Sequence, residues 1–359
     1  MAIKRFEDVT QKALEVFLGG LEEPTMGYRA LFPEEFTSNL SWESLEASGN
    51  MTVAADVVAH NASVKLKARP DAALATGRIP KIGLLNTVGE KELHDLYALT
   101  MSPRNLEDQI FNIIFGDVAR AYYGVHARLE MLAMQALSTG VCETTDSDNI
   151  GITFKTTFNV PAGNKKGTTG GVWSNASTST PIKDLKFMVK TARDAGFRID
   201  RIVMAQGTVD NMIASDEVKG MYSGIIGLSN ALLNPTVDQL NVVLGNQGLP
   251  AITVVDPSVA IEAADGTQSI VSPWSTGKVA LLSSQLAGKT QFTLTAEEKA
   301  AGFTDPAALA ANRDIVRITR YAKQNPYSVF TKGETVAFPV LNNPKGLFLL
   351  NTENATTWA

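Results

Sequence analysis

Residues 102–140, SPRNLEDQIFNIIFGDVARAYYGVHARLEMLAMQALSTG, read as one amphipathic helix running from Pro103 to about Thr139. Ser102 is a good N-cap residue, Pro103 suits the first helical position, and Gly140 stands where a left-handed C-terminal cap belongs. Leu106, Ile110, Ile113, Ile114, Val118, Ala121, Val125, Leu129, Leu132 and Ala136 recur at steps of three and four, the period of a single helical face. Phe111, Phe115, Tyr122, Met131 and Met134 fall outside that stripe, which predicts contact on a second side. Gly116 and Gly124, each costing about 1 kcal/mol relative to alanine, predict a bend or break within its length. At about 1.5 Å per residue the helix is about 50 Å long. A compact globule of this chain, with a radius of gyration of about 20 Å, is no wider than that. The expectation is a flattened, elongated subunit that completes its packing against copies of itself.

On the N-terminal side, residues 6–18 read as a short helix with Phe6, Val9, Ala13, Leu14 and Phe17 on one face, ended by Gly19 and Gly20. From Glu22 to about Ser48, Pro24, Gly27, Pro33 and scattered aromatics support no long element. Asn50 to Leu85 then alternates as a long two-stranded excursion, turning at 69–71 and 76–78. An isolated hairpin is marginal in water, so this one needs a neighbour to lie on.

On the C-terminal side, Ile150 to Val160 alternates as a strand, and Gly163 to Gly171 reads as a flexible loop. A helix capped at Thr180-Pro181 buries Ile182, Leu185, Met188, Val189 and Ala192 and closes at Gly196. It is followed by a buried-type strand at 199–205, a short helix at 208–214, a helix starting at Asn234-Pro235 and a strand at 251–256. Residues 180–290 thus form a mixed α/β lobe. The segments 315–321, 336–341 and 347–351 are strands again, expected to return to the central helix.

The chain has 359 residues, 44% of them hydrophobic, enough for a large core in two or three lobes. Lys+Arg 32 against Asp+Glu 37 gives a net charge of -5, which disfavours nucleic-acid binding as the main task. Cys142 is the only cysteine, so no internal disulfide or cysteine-based zinc cluster forms, and synthesis in a reducing compartment is expected. The first twenty residues lack the apolar core of a signal peptide, and no segment approaches the roughly 20 apolar residues that span a bilayer.

Catalytic and ligand motifs are sparse. Ser283 to Thr290, SSQLAGKT, is the nearest approach to a phosphate loop, but Ser283 replaces the first glycine and a strand pattern, not a helix, follows. Lys165 and Lys166 in the 163–171 loop offer an anion cradle in principle; a mobile surface loop is the plainer reading. His60, His94 and His126 have no ligand-like spacing and read as surface or packed histidines. The pairs Glu90/Glu92 and Asp146/Asp148 read as solvated turns. No catalytic, cofactor or metal residue is therefore assigned, and an enzyme built on the 180–290 lobe is the weakest reading because no site converges there.

The order of parts resembles the coat-protein fold of tailed bacteriophages and encapsulins. Local matches point to the lambda-type major capsid proteins, the capsid protein E family. They are Gly170-Gly171-Val172-Trp173-Ser174 before Pro181-Ile182-Lys183-Asp184-Leu185; Arg201-Ile202-Val203-Met204; Ala251-Ile252-Thr253-Val254-Val255; Lys278 to Ser284; and Phe338-Pro339-Val340-Leu341-Asn342-Asn343-Pro344. The likeness runs from about Tyr28 onward, and residues 1–27 have no clear counterpart.

The resemblance implies an α+β fold divided into an N-terminal arm (1–49), an extended hairpin loop (50–100), a peripheral domain with the spine helix (101–178), an axial α/β domain (179–312) and closing strands returning to the peripheral domain (313–359). It implies no enzyme and no cofactor but a structural protein self-assembling into the icosahedral head of a tailed double-stranded DNA phage. Partners would be copies of itself in hexamers and pentamers, scaffold, portal and decoration proteins, and packaged DNA held without sequence-specific binding; no membrane is involved. Mild acidity then keeps packed DNA from sticking. The protein would be made and assembled in the host cytoplasm and reside in the virion. An encapsulin-like compartment shell is the alternative. Some coat proteins cross-link through a lysine on such a hairpin, which draws notice to Lys65 and Lys67; charged outward positions are the plainer reading.

Overall fold

The long helix forms as one unbroken run, and the rest of the chain is arranged around it. A computed structural model describes residues 8–24, 26–47, 72–101, 107–145, 153–227, 233–262, 266–300 and 308–358. In chain order these carry α1 (Gln11–Gly20), α2 (Tyr28–Leu31), β1 (Glu34–Phe36), β2 (Ser41–Ala47), β3 (Ala72–Arg78), β4 (Lys81–Val88), α3 (Glu90–Thr100) and the spine α4 (Glu107–Thr139). Then follow β5 (Val141–Thr144), β6 (Phe154–Thr157), β7 (Lys165–Thr168), α5 (Pro181–Asp194), β8 (Arg201–Ala205), α6 (Gln206–Ala214), α7 (Asp216–Ile225) and α8 (Val237–Asn246). The chain continues through β9 (Ile252–Val255), β10 (Val259–Glu262), β11 (Gln268–Val271), β12 (Lys278–Leu282), β13 (Gly288–Thr293), α9 (Ala296–Lys299), β14 (Leu309–Arg313), β15 (Val316–Gln324), β16 (Tyr327–Leu341) and β17 (Leu347–Ala355).

Two sheets organise these elements. The first runs β1-β13-β16-β15-β14, with β4 also pairing on β16; the second runs β7-β17-β12-β8-β9. α4 lies on β16 and β4, and its Ile114, Val118, Ala121, Val125, Leu129 and Ala136 are fully or almost fully buried. Phe115, Tyr122, Met131 and Met134 are buried as well, so the second side expected from them is occupied, whereas Ile113 and Phe111 stay exposed. Leu106 and the cap at Ser102-Pro103 lie outside the described residues. Gly140 has φ +76°, the left-handed stop expected of it.

The glycines of α4 do not break it. A Cβ on Gly124 would meet Leu84 Cδ1 at 2.9 Å, so its place is a close crossing of helix and sheet, while Gly116 faces open space. Opposite Leu84 in the ladder is Gly333, where a Cβ would fall 2.7 Å from the Ala121 carbonyl oxygen. Small residues on both elements let their backbones approach.

Several local expectations need correction. α1 begins at Gln11, capped by the Thr10 hydroxyl, and runs through Gly19 and Gly20. β2 lies in the segment read as irregular and pairs antiparallel with β3, so the hairpin stem starts at Ser41; residues 48–71 between its strands lie outside the described residues. The 90–100 segment is a helix, and Glu90 and Glu92 form its first turn, with Glu92 Oε2 accepting the Gly89 N–H at 2.6 Å. α7 was not foreseen; α8 is capped by Thr236 and Gln239 in a capping box, not at Asn234. Finally, β17 pairs with β12 and β7 in the second sheet, whereas β15 and β16 do lie against α4.

The second sheet is covered on both faces, and strict alternation in its strands shows it. Val203, Ala280, Leu347 and Leu349 join the core beneath α4, while Ile202, Met204, Val279, Leu281, Phe348 and Leu350 join α5–α8 on the other side.

Candidate assembly site

The N-terminal segment, the hairpin stem and the α/β lobe are each tied down by buried polar contacts. The first tie fixes the N-terminal segment to the spine. His126 and Glu130, four residues apart, share one face of α4. Tyr28 N–H donates to Glu130 Oε2 at 2.8 Å, and the Tyr28 hydroxyl shares a 2.7 Å hydrogen bond with His126 Nδ1. Burial raises the Glu130 carboxyl above the usual carboxylate range and pushes the His126 imidazole down to about 4, with Arg29 adding to the latter. Around them, Arg29 bridges Glu34 and Asp314 at 3.3 and 3.6 Å, and the Tyr122 hydroxyl donates to Asp314 at 2.6 Å. α1 continues the attachment along the free edge of β14: the Gln11 amide donates to the Ala310 carbonyl and accepts its N–H.

The second tie fixes the hairpin stem. Ser44 Oγ donates to the Leu341 carbonyl at 2.5 Å, and Glu43 and Gln291 exchange two bonds of 3.1 Å. Trp42 is buried against Phe158 and Phe338, and a Cβ on Gly77 would strike its indole at 2.5 Å. The stem is thus wedged into the first sheet. Exposed Phe36 and Leu40 lie just ahead of it, with Phe36 edge-on to Phe292 at 5.6 Å.

The third tie holds the α/β lobe. Asp184, fully buried, accepts from Thr169 N–H and Oγ at 2.7 and 2.5 Å and from Trp173 Nε1 at 2.8 Å. This corrects the mobile-loop reading of 163–171. β7 is a parallel edge strand on β17, and Asn164 Nδ2 donates to the carbonyls of Lys345 and Leu347. Its amides are engaged by protein groups, and Lys165 Nζ donates to the Thr139 carbonyl that ends the spine, so no anion cradle is formed.

The remaining singled-out residues do not converge. Ser283 to Thr290 joins β12 directly to β13 with no helix after it; Lys289 pairs with Glu35 at 2.8 Å and Thr290 Oγ donates to the Phe32 carbonyl. His94 is exposed on α3, and His126 is packed as described. His60, Lys65, Lys67, Asp146 and Asp148 lie outside the described residues. Cys142 is buried, its thiol pushed up by that burial and bonded to the Leu132 carbonyl. An open cleft of about 520 Å³ lies between the end of α4 and the β10–β11 hairpin, lined by Met131, Gln135, Val141, Ile261 and Trp274 among others. Glu143, the one ionisable residue in that lining among the described residues, pairs with Lys155 at 2.8 Å. Among the described residues no three carboxylate, histidine or cysteine groups cluster as metal ligands, and no helix is long and apolar enough to cross a membrane.

A long helix laid on one sheet, a rooted hairpin and arm, and a separate α/β lobe define the architecture of a phage coat subunit. Two solved structures share it. A putative capsid protein of a prophage from E. coli CFT073 has a TM-score of 0.56 at 13% identity, over 96% of this chain and 99% of that one. A phage-related protein from Bordetella bronchiseptica RB50 has a TM-score of 0.52 at 14% identity, over 95% and 96%. At such identities the likeness shows the fold. The family model described as phage major capsid protein E matches residues 24–351, and the chain belongs to that family. It is a structural protein of the phage shell and a component of the virion. No curated protein sequence matches it, and neither comparison supports an encapsulin.

Proposed function

We propose that the subunit closes an icosahedral head as hexamers and pentamers, with a scaffold and a portal setting curvature, decoration proteins outside and DNA inside. The β2–β3 hairpin would lie over neighbours, α4 with the first sheet and the N-terminal segment packed on it would form the peripheral tile, and α5–α8 with the second sheet would gather at the axes. Synthesis and assembly take place in the host cytoplasm, and the subunit catalyses nothing. The observation that carries this reading is the rooting of the stem. β2 and β3 are wedged against Leu341, Gln291, Phe158 and Phe338, so whatever their connecting segment grips is coupled rigidly to the tile. Heterologous contacts of this kind add area without enlarging a core and close only at the right rotation.

The test is a deletion within the connecting segment. Removing 56–84 would take out β3 and half of β4, which belongs to the first sheet, and would damage the fold itself. Residues 49–71 are therefore replaced by a short glycine-containing turn. A soluble, folded subunit that forms no closed shells is expected; normal closed particles in electron micrographs would refute the proposed role.

A further inference from the structure

The solvent face of α5 carries Lys183, Lys186, Lys190 and Arg193 at helical steps of three and four, with exposed Phe187 among them. Its only carboxylate on the inner side, Asp184, is spent on Thr169 and Trp173, and the exposed Asp194 ends the helix. A solvated helix ordinarily pairs its charges across one turn, but none of these four cations forms an ion pair among the described residues. Lys186 bonds to the Gln247 amide at 2.6 Å, and Lys183 feels the charge of Glu217, which itself accepts the Ile182 N–H.

This arrangement works against helix stability twice. Lys186 and Lys190 repel as like charges at i, i+4, and Lys183 in the first turn opposes the positive end of the helix dipole. The first-turn carboxylate of α5, Asp184, is buried and already bonded to Thr169 and Trp173, so it leaves Lys183 unbalanced on the exposed side. A stripe kept at a cost, in a chain whose net charge is -5, points to a polyanionic partner.

We propose that this face of α5 contacts the phosphate backbone of double-stranded DNA without regard to sequence. The four cations span about 15 Å, one about every turn, and long flexible ammonium groups suit a row of phosphates better than the fixed geometry of a folded protein surface. The α5 face is also free on the side of the lobe away from the spine, because α5 packs on the opposite face of the second sheet from α4. The acidity of the rest of the chain keeps the contact weak, so that a packed duplex is guided without being trapped. The inference rests on the proposal that the shell encloses DNA.

The test uses the full unassembled chain and a fluorescent duplex of mixed sequence, with binding followed by anisotropy across a salt series. For the wild type, log affinity should fall linearly with log salt, by about 0.9 for each phosphate contacted. Replacing Lys183, Lys186, Lys190 and Arg193 together by alanine should flatten that slope by about 3.6 and lower affinity at low salt at least about tenfold. Lys190→Ala alone, a milder change at a side chain with no bonded partner among the described residues, should flatten it by about 1. Lys12→Ala on α1 should leave the slope unchanged. The quadruple variant should melt no lower than the wild type, since repulsion has been removed. Superimposable isotherms for wild type and both stripe variants would overturn the proposal. Poly-glutamate binding through the same four residues as tightly as the duplex would overturn it in favour of an acidic protein partner. Electron microscopy of the same preparations separates the two readings. Shells from the quadruple variant with DNA binding lost leave both standing, whereas a wild type that makes no shells removes the shell reading alone.

Discussion

Gly333→Ala should destabilise the subunit although it adds a single methyl group to a strand. Gly333 sits within β16, paired with Ile318 of β15 on one side and Leu84 of β4 on the other, and faces Ala121 of the spine. The new Cβ would lie 2.7 Å from the Ala121 carbonyl oxygen and 3.0 Å from its carbonyl carbon and Cβ. Two of those atoms are helix backbone, which cannot rotate away, so the helix and sheet must separate along the crossing. Overpacking of this kind costs about 1–3 kcal/mol, against a gain of about 0.5–1 kcal/mol from replacing a strand glycine. The net expectation is a loss of about 1–2 kcal/mol. Gly116→Ala provides the matched control: the same chemistry on an exposed position with nothing within 4 Å should stabilise by about 0.5–1 kcal/mol. Urea unfolding of the unassembled subunits, followed by far-ultraviolet circular dichroism, measures both. A Gly333→Ala subunit as stable as wild type would show that the close crossing is not a constraint, and the account of α4 would fail.

Two further predictions test the buried ties. The imidazole of His126 is held down at about 4 against an ordinary 6.5, so both states are neutral at high pH, and below about 6.5 the unfolded chain alone takes up the proton. Stability from this group is therefore full above about 6.5 and is lost as pH falls toward about 4, amounting to about 2 kcal/mol at a pH of about 5. Glu130, raised by burial, acts in the opposite sense, so the comparison is with His126→Gln, which retains an acceptor for Tyr28 but does not titrate. The stability difference between the two proteins should change by that amount between neutral pH and a pH of about 5; a constant difference would contradict the assignment. Asp184→Asn places an amide N–H₂ where only donors point, and should cost about 1–3 kcal/mol by leaving a buried donor unmatched. It should also raise hydrogen exchange at Thr169, and an unchanged exchange rate there would refute the role of Asp184 as the holder of β7.

What the sequence made legible follows how local the cause was. The spine carries its own evidence: a one-face period and a glycine stop, which the structure realises from Ile110 to Gly140. α5 was equally legible, because Ile182, Leu185, Met188 and Ala192 repeat every three to four residues and all end up buried. β3 was harder, since AALATGR contains few strand-forming residues and pairs only because the Trp42 side of β2 supplies the packing. The 163–171 segment was misread for a different reason. Its glycines suggested mobility, yet a Cβ on Gly167 would fall 2.4 Å from the Thr357 carbonyl oxygen, a close passage set by a segment 190 residues later. Gly124 follows the same logic with Leu84. At Gly167, Gly288 and Gly333 the glycine marks a place where another backbone passes too close for any Cβ, not a place where the chain moves.

That distinction bears on how a shell tile works. The parts that must be stiff are built by close approach: α4 on β16 through Ala121 and Gly333, α4 on β4 through Gly124, and β7 beneath the C-terminal tail through Gly167. The N-terminal segment folded back on the tile and the hairpin stem are each tied by buried hydrogen bonds, Tyr28 to Glu130 and Ser44 to the Leu341 carbonyl. A hydrogen bond between buried groups has a defined direction and a high cost of being left unmade, so it fixes the angle at which the stem leaves the tile and the register in which the N-terminal segment lies on it. Packing alone would fix their position less sharply. Because a closed shell depends on the angle between subunits more than on the strength of any one contact, these few polar ties are where small substitutions should change curvature before they change stability.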